Sequence, residues 1–176
     1  MSRLPSASGW ILVAATAGCA APPPVQLSEA PSAAKIRFVN QVDKTLLNLY
    51  PPTECNNGFN VINNHWLGHA IQAVAGDVPR RVGMLDPVDA TDRNIAEIAV
   101  APLQIVNVGT FSGAGVQCLG GLSFTAQEKT QYEVRLSAES GGRCQLTASR
   151  LENIDGSIMR VPVNDVGPLI CRSARQ

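Results

Sequence analysis

Residues 131–138 read QYEVRLSA. Tyr132, Val134, Leu136 and Ala138 alternate with Glu133, Arg135 and Ser137, and a period of two places the two sets on opposite faces of a strand. One apolar face and one polar face is the pattern of an antiparallel sheet buried on one side only. Glu139-Ser140-Gly141-Gly142 follows with turn composition, and RCQLTASRL (143–151) resumes as a strand, so the pair predicts a hairpin.

The same pattern recurs on both sides of this hairpin. SIMRVPV (157–163) predicts a final strand and QCLGGLSFTA (117–126) an earlier one, while NIAEIAVAPLQIVNVGTF (94–111) gives two β segments divided by Pro102, which cannot donate within a ladder. KIRFVNQV (35–42) alternates as well. Asp43-Lys44 reads as a turn and TLLNLY (45–50) as the returning strand of an opening hairpin, stopped by Pro51-Pro52. TECNNGFNVINNH (53–65) is rich in Asn and predicts a long ordered surface loop. WLGHAIQAVA (66–75) fits a strand or a short helix: Leu67, Ala70, Ile71 and Val74 keep helical spacing, but Gly68 weakens a helix. Residues 77–93 form a turn-rich connection. Roughly seven to nine short strands without strand–helix alternation predict an all-β fold, an antiparallel two-sheet sandwich of immunoglobulin-like or transthyretin-like kind.

A chain of 176 residues supports one such domain. Its 45% hydrophobic and 16% charged residues favour a packed body over a disordered chain. Lys plus Arg and Asp plus Glu are 14 each, and removing Arg3 with a leader leaves 13 against 14, a net of −1. No large positive field exists to gather nucleic acid.

The leader is residues 1–18. Arg3 marks its charged start, residues 10–17 an apolar run, and small residues follow, as in an export signal. The run is well short of the ~20 residues that a membrane-spanning helix needs. Thr16-Ala17-Gly18-Cys19 then resembles the lipobox of bacterial lipoproteins, with Thr16 where a Leu-like residue is usual. The resemblance implies that the leader is removed and that Cys19 becomes the acylated first residue, palmitate among its chains. Ala20, in place of the Asp that favours inner-membrane retention, implies the outer membrane of a Gram-negative envelope, the domain facing the periplasm. Two or three acyl chains anchor durably where one is marginal. Residues 19–34, rich in Pro, Ala and Ser, read as a tether, 35–172 as the folded domain and 173–176 as a polar tail.

Cys19 also resolves an odd count of 5 cysteines. Cys55, Cys118, Cys144 and Cys171 remain and pair in three ways. Cys55 with Cys118 and Cys144 with Cys171 is the favoured pairing, because the second bridge pins the chain's end to its clearest hairpin and the first secures the Asn-rich loop. A zinc site would need paired C-x-x-C spacing, which these cysteines lack.

Few other motifs point to chemistry. His65 and His69 share i, i+4 spacing but have no third ligand nearby and an intervening Gly68. Asp86, Asp89 and Asp92 fail calcium-loop spacing and fit turn positions. GTFSGAG (109–115) has no Lys for a phosphate loop, and Ser112 stands one place too late for a nucleophile elbow; a glycine-rich hairpin loop is expected. Arg80 and Arg81 are a basic pair in a solvated loop. Phe59 and Trp66, flanking the Asn-rich stretch, are the best candidate contact surface, since aromatics supply area and Asn supplies donors and acceptors. The expectation is a non-enzymatic, lipid-anchored envelope module with no cofactor, held to the membrane by its N-terminal lipid and docking to another envelope protein. A saccharide- or lipid-binding domain is the alternative, and a hydrolase a weak third.

Overall fold

The computed structural model describes residues 27–51, 59–63, 81–89, 92, 94–112, 118 and 120–170. These form ten strands: β1 (Ala34–Asn40), β2 (Thr45–Tyr50), β3 (Phe59–Asn63), β4 (Ile95–Val100), β5 (Ile105–Ser112), β6 (Gly120–Thr125), β7 (Gln131–Ala138), β8 (Cys144–Ile154), β9 (Ser157–Pro162) and β10 (Gly167–Pro168). They pair as two five-stranded sheets, in the orders β4-β1-β7-β8-β9 and β10-β6-β5-β2-β3. The two-sheet sandwich expected from the sequence is therefore present. Its pairs are antiparallel except β1 with β7, which run parallel.

Alternation explains the core. Ile36 and Phe38 of β1, Val134 and Leu136 of β7, and Ala96 and Ile98 of β4 are buried on one sheet, and Leu47, Leu49, Val106, Val108, Leu122 and Phe124 on the other. Burying an aliphatic or aromatic side chain of this size contributes ~1.5–3 kcal/mol. Tyr132 bridges the layers: its ring lies 4.9 Å from that of Phe124, and its hydroxyl accepts the Gln127 amide at 2.9 Å.

Four expectations need correction. β1 and β2 are not a hairpin, because they lie in different sheets and the turn between them is an arch over one end of the sandwich. Buried Asn40 makes the arch possible by supplying bonds that a ladder would have supplied: its Oδ1 accepts the Val42 amide at 3.1 Å and its Nδ2 donates to the Thr45 carbonyl at 3.3 Å. The Asn-rich loop contains strand β3, which pairs with β2 across an irregularity between Leu47 and Asn48. At a sheet edge outward Asn costs little, so composition misleads there. Gly109 to Ser112 are the end of β5, not a hairpin loop. Gly109 and Gly121 face each other in the ladder, and a Cβ on Gly121 would stand 2.8 Å from the Leu169 Cβ and 3.0 Å from the Val108 carbonyl oxygen. These glycines make room for the segment after β10.

The fourth correction is the disulfide. Cys118 bonds Cys144, with Cα atoms 5.1 Å apart and a sequence separation of 26, so the pairs Cys55–Cys118 and Cys144–Cys171 do not form. Cys118 precedes β6 and Cys144 opens β8, which places both at the same end of the two sheets. Sequence proximity suggested tying loops to hairpins, whereas the sandwich brings these two thiols face to face. Cys55 and Cys171 lie outside the described residues, as do Cys19 and residues 66–75.

At the opposite end the chain enters. Leu27 forms an isolated bridge with Val100, the Ser28 amide donates to the Ala99 carbonyl at 3.0 Å, and Ala33 and Ala34 are buried. The distal part of the stretch read as tether thus belongs to the packed body.

Candidate functional site

The outer face of the β4-β1-β7-β8-β9 sheet was expected to be wet, and at one row of residues it is not. Arg37, Glu97 and Glu133 occupy adjacent positions on β1, β4 and β7, with Arg37 opposite Glu97 on one side and Glu133 on the other. Arg37 is 0% exposed and both glutamates are buried. Arg37 Nε donates to Glu97 Oε1 at 3.0 Å, and its Nη1 lies 3.7 Å from Glu133 Oε2. Such a pair is sustained only where its remaining polar atoms are also met.

Residues 81–89 meet most of them by crossing the sheet as a strap, while Arg37 Nη1 keeps only its contact with Glu133. The Val82 amide donates to Glu97 Oε2 at 3.0 Å, the Gly83 carbonyl accepts Lys35 Nζ at 2.7 Å, and the Leu85 carbonyl accepts Arg37 Nη2 at 3.0 Å. The Leu85 amide donates to Gln131 Oε1 at 2.7 Å, and Asp86 Oδ2 pairs with Arg160 Nη2 of β9 at 2.8 Å. Extended, residues 82–86 reach at most about 17 Å, close to the roughly 19 Å from β4 to β9, and the long Arg160 side chain closes the difference. Met84, within the strap, is buried. Positive φ at Gly83 (66°) and Asp86 (59°) bends the chain to the sheet.

Glu133 is the hub. Arg135 Nη2 and Arg160 Nε both donate to its Oε1, at 2.6 and 2.9 Å, and Arg160 Nη2 donates to its Oε2 at 3.1 Å. Burial pushes the Glu133 pKa up, but hydrogen bonds from Arg160 and Arg135, with their charges, outweigh it and hold the carboxyl below its ordinary range. The same bonds from Glu133 and Asp86 raise the pKa of Arg160. Ionised and engaged by two guanidinium groups, Glu133 accepts hydrogen bonds at neutral pH and holds no proton to give. This row is a clamp for the strap.

The residues singled out in the sequence fall into three groups. Asp86 serves the strap, Asp92 Oδ1 accepts the Asn94 amide at 2.8 Å as a turn aspartate does, and the Asp89 carbonyl accepts Arg81 Nη2 at 2.9 Å. Among the described residues no group of three or more His, Cys, Asp or Glu gathers as a metal site. Arg81 is a correction: it is not a solvated basic residue, since its guanidinium also bonds the carbonyls of Ile95 and Asp92. His65, His69, Trp66 and Arg80 lie outside the described residues.

Phe59 is described, and it is 54% exposed at the start of edge strand β3. Opposite Leu49 in the ladder, it shares the side of the sheet on which Leu49 is buried, but at the corner of the sandwich, where the facing sheet leaves it half covered. Asn60 beside it is exposed.

Sequence reasoning missed the charge row because its members are distant in sequence. A signal was present: Glu97 stands alone as a charge in the otherwise apolar IAEIAV strand, and Arg37 sits between Ile36 and Phe38. No protein-family model matches the chain, and no curated protein or solved structure matches it either.

Proposed function

We propose that the chain is a lipid-anchored envelope lipoprotein whose sandwich docks, without catalysis of its own, to another protein of the envelope. The observation that carries this reading is Phe59, a large aromatic left 54% exposed on an edge strand. Large aromatic side chains anchor protein interfaces. The lipobox resemblance at Cys19 supplies the membrane, and entry of the chain beside Val100 gives the body one end by which it is held.

The charged side chains of the sheet support the same reading. Arg37, Glu97, Glu133 and Arg160 are engaged with one another and with the strap, which suits a rigid scaffold. Replacing Phe59 with a photo-crosslinking phenylalanine analogue in intact cells tests the docking. A discrete heavier adduct from position 59, absent from Ser140 in the far turn, is expected. Recovery of the monomer alone from both positions would count decisively against a docking role for this edge.

A further inference from the structure

Exposed apolar side chains gather at the end of the sandwich where the chain enters. Residues 101–104 join β4 to β5 and residues 126–130 join β6 to β7 at this end, and the turn between β8 and β9 projects there too. Leu103 stands on the first of these segments, Ile105 and Ile154 are the strand residues next to the first and the last, and Leu27 lies in the entering chain; all four are exposed, Leu103 to 71%. Scattered exposed leucines are ordinary, but a group on neighbouring turns is less so.

Leu103 is unusual in a second way. It follows Pro102 in a turn and holds φ at 62°, in the left-handed region that glycine or asparagine fills without penalty. Its amide is fixed by the Ala126 carbonyl at 2.7 Å, so the turn holds its shape and directs a large apolar residue outward at a cost in backbone energy. Packing does not repay that cost, because most of the side chain faces solvent.

The chain that precedes the described residues ends here. Between Cys19 and Leu27 lie eight residue steps, which extend to at most about 28 Å. Exposed Glu29, Glu128, Lys129 and Asp155 surround the group with mixed charge and no basic excess for anionic lipid.

We infer that this end of the sandwich rests on the lipid bilayer, with Leu103 and Ile154 entering the headgroup boundary of a zwitterionic surface. The inference rests on the lipid-anchor reading above. A tethered body meets the membrane at high effective concentration, so a few apolar side chains suffice to orient it.

The test uses the mature chain purified from the membrane fraction and reconstituted in phosphatidylcholine vesicles with brominated acyl chains. Leu103→Trp, Ile154→Trp and Ser140→Trp variants are compared after subtraction of wild-type emission, since Trp66 is common to all. Quenching at positions 103 and 154 at least about twofold stronger than at 140 is expected for side chains at the interface. Equal quenching at all three, in a chain that stays with the vesicles, overturns this inference and leaves the anchor standing. Positions 103 and 154 shielded from both brominated lipid and aqueous acrylamide would show a protein covering the end, and also overturn it. A wild-type chain found only in the soluble fraction removes the anchor and this inference with it.

Discussion

Arg37 carries a positive charge with no exposed surface, sustained by Glu97 and Glu133 on either side and by the Leu85 carbonyl, which accepts Nη2, while Nη1 keeps only its 3.7 Å ion pair with Glu133. Removing one partner of a buried pair typically costs ~3–5 kcal/mol, because the carboxylates left behind are uncompensated. Arg37→Met should therefore lower the unfolding free energy by about that much in urea, and Glu97→Leu in the same chain should recover part of it, since Glu133 keeps Arg135 and Arg160. Glu133 makes the clamp sensitive to acid. Its folded pKa lies below its ordinary value of 4.5, so its stabilisation is fully present above that pH and is lost as pH falls through the depressed value. The thermal midpoint of the wild type should fall more steeply below pH 4.5 than that of Glu133→Gln, and parallel curves would remove Glu133 from this role. Leu103 works in the other direction. Leu103→Gly relieves a left-handed backbone that costs an L-residue ~1–2 kcal/mol and adds unfolded-state freedom of ~0.4–1 kcal/mol. A net gain of about 0.5 kcal/mol in urea unfolding is expected, as for a residue kept for something other than stability.

Among the elements, the disulfide and the strap show what spacing along the chain conceals. The Cys118–Cys144 bridge closes a loop of 26 residues, and its removal should cost about 3 kcal/mol. Peptide mapping without reduction should recover Cys118 joined to Cys144, and, for a chain with two internal bridges, Cys55 joined to Cys171. Recovery of Cys144 with Cys171 would contradict the packing of the sheet ends. Strands β1, β2, β7, β8 and β9 were legible because each alternates at period two or follows a turn of Gly, Asp or Asn. Arg81 and Glu133 were not, because alternation tells which residues share a face and not what covers that face. The strap that covers this one has no periodicity: its hold on the sheet comes from main-chain atoms at Val82, Gly83 and Leu85, which any sequence possesses. Phe59 was read as part of a loop and stands on a strand, since Asn-rich composition and an edge strand are alike in sequence.

At the scale of the molecule, the described sandwich is held together by an apolar layer, the Cys118–Cys144 bridge and the strap over its outer face, and in the proposed anchoring it is presented by one end. The entry of the chain beside β4 fixes which end that is. Everything proposed for the membrane and for a partner depends on what Cys19 carries. Cys19→Ala in the full chain should move the protein from the membrane fraction to the soluble fraction with its fold unchanged, because the packed core of the described residues is built from Ala33 onward. The most direct measurement is the intact mass and N-terminal peptide of the mature chain purified from membranes. A chain that begins at Cys19 and carries acyl groups on that residue is the expected result; a chain that begins elsewhere, or one with an unmodified Cys19 thiol, would contradict the lipid anchor.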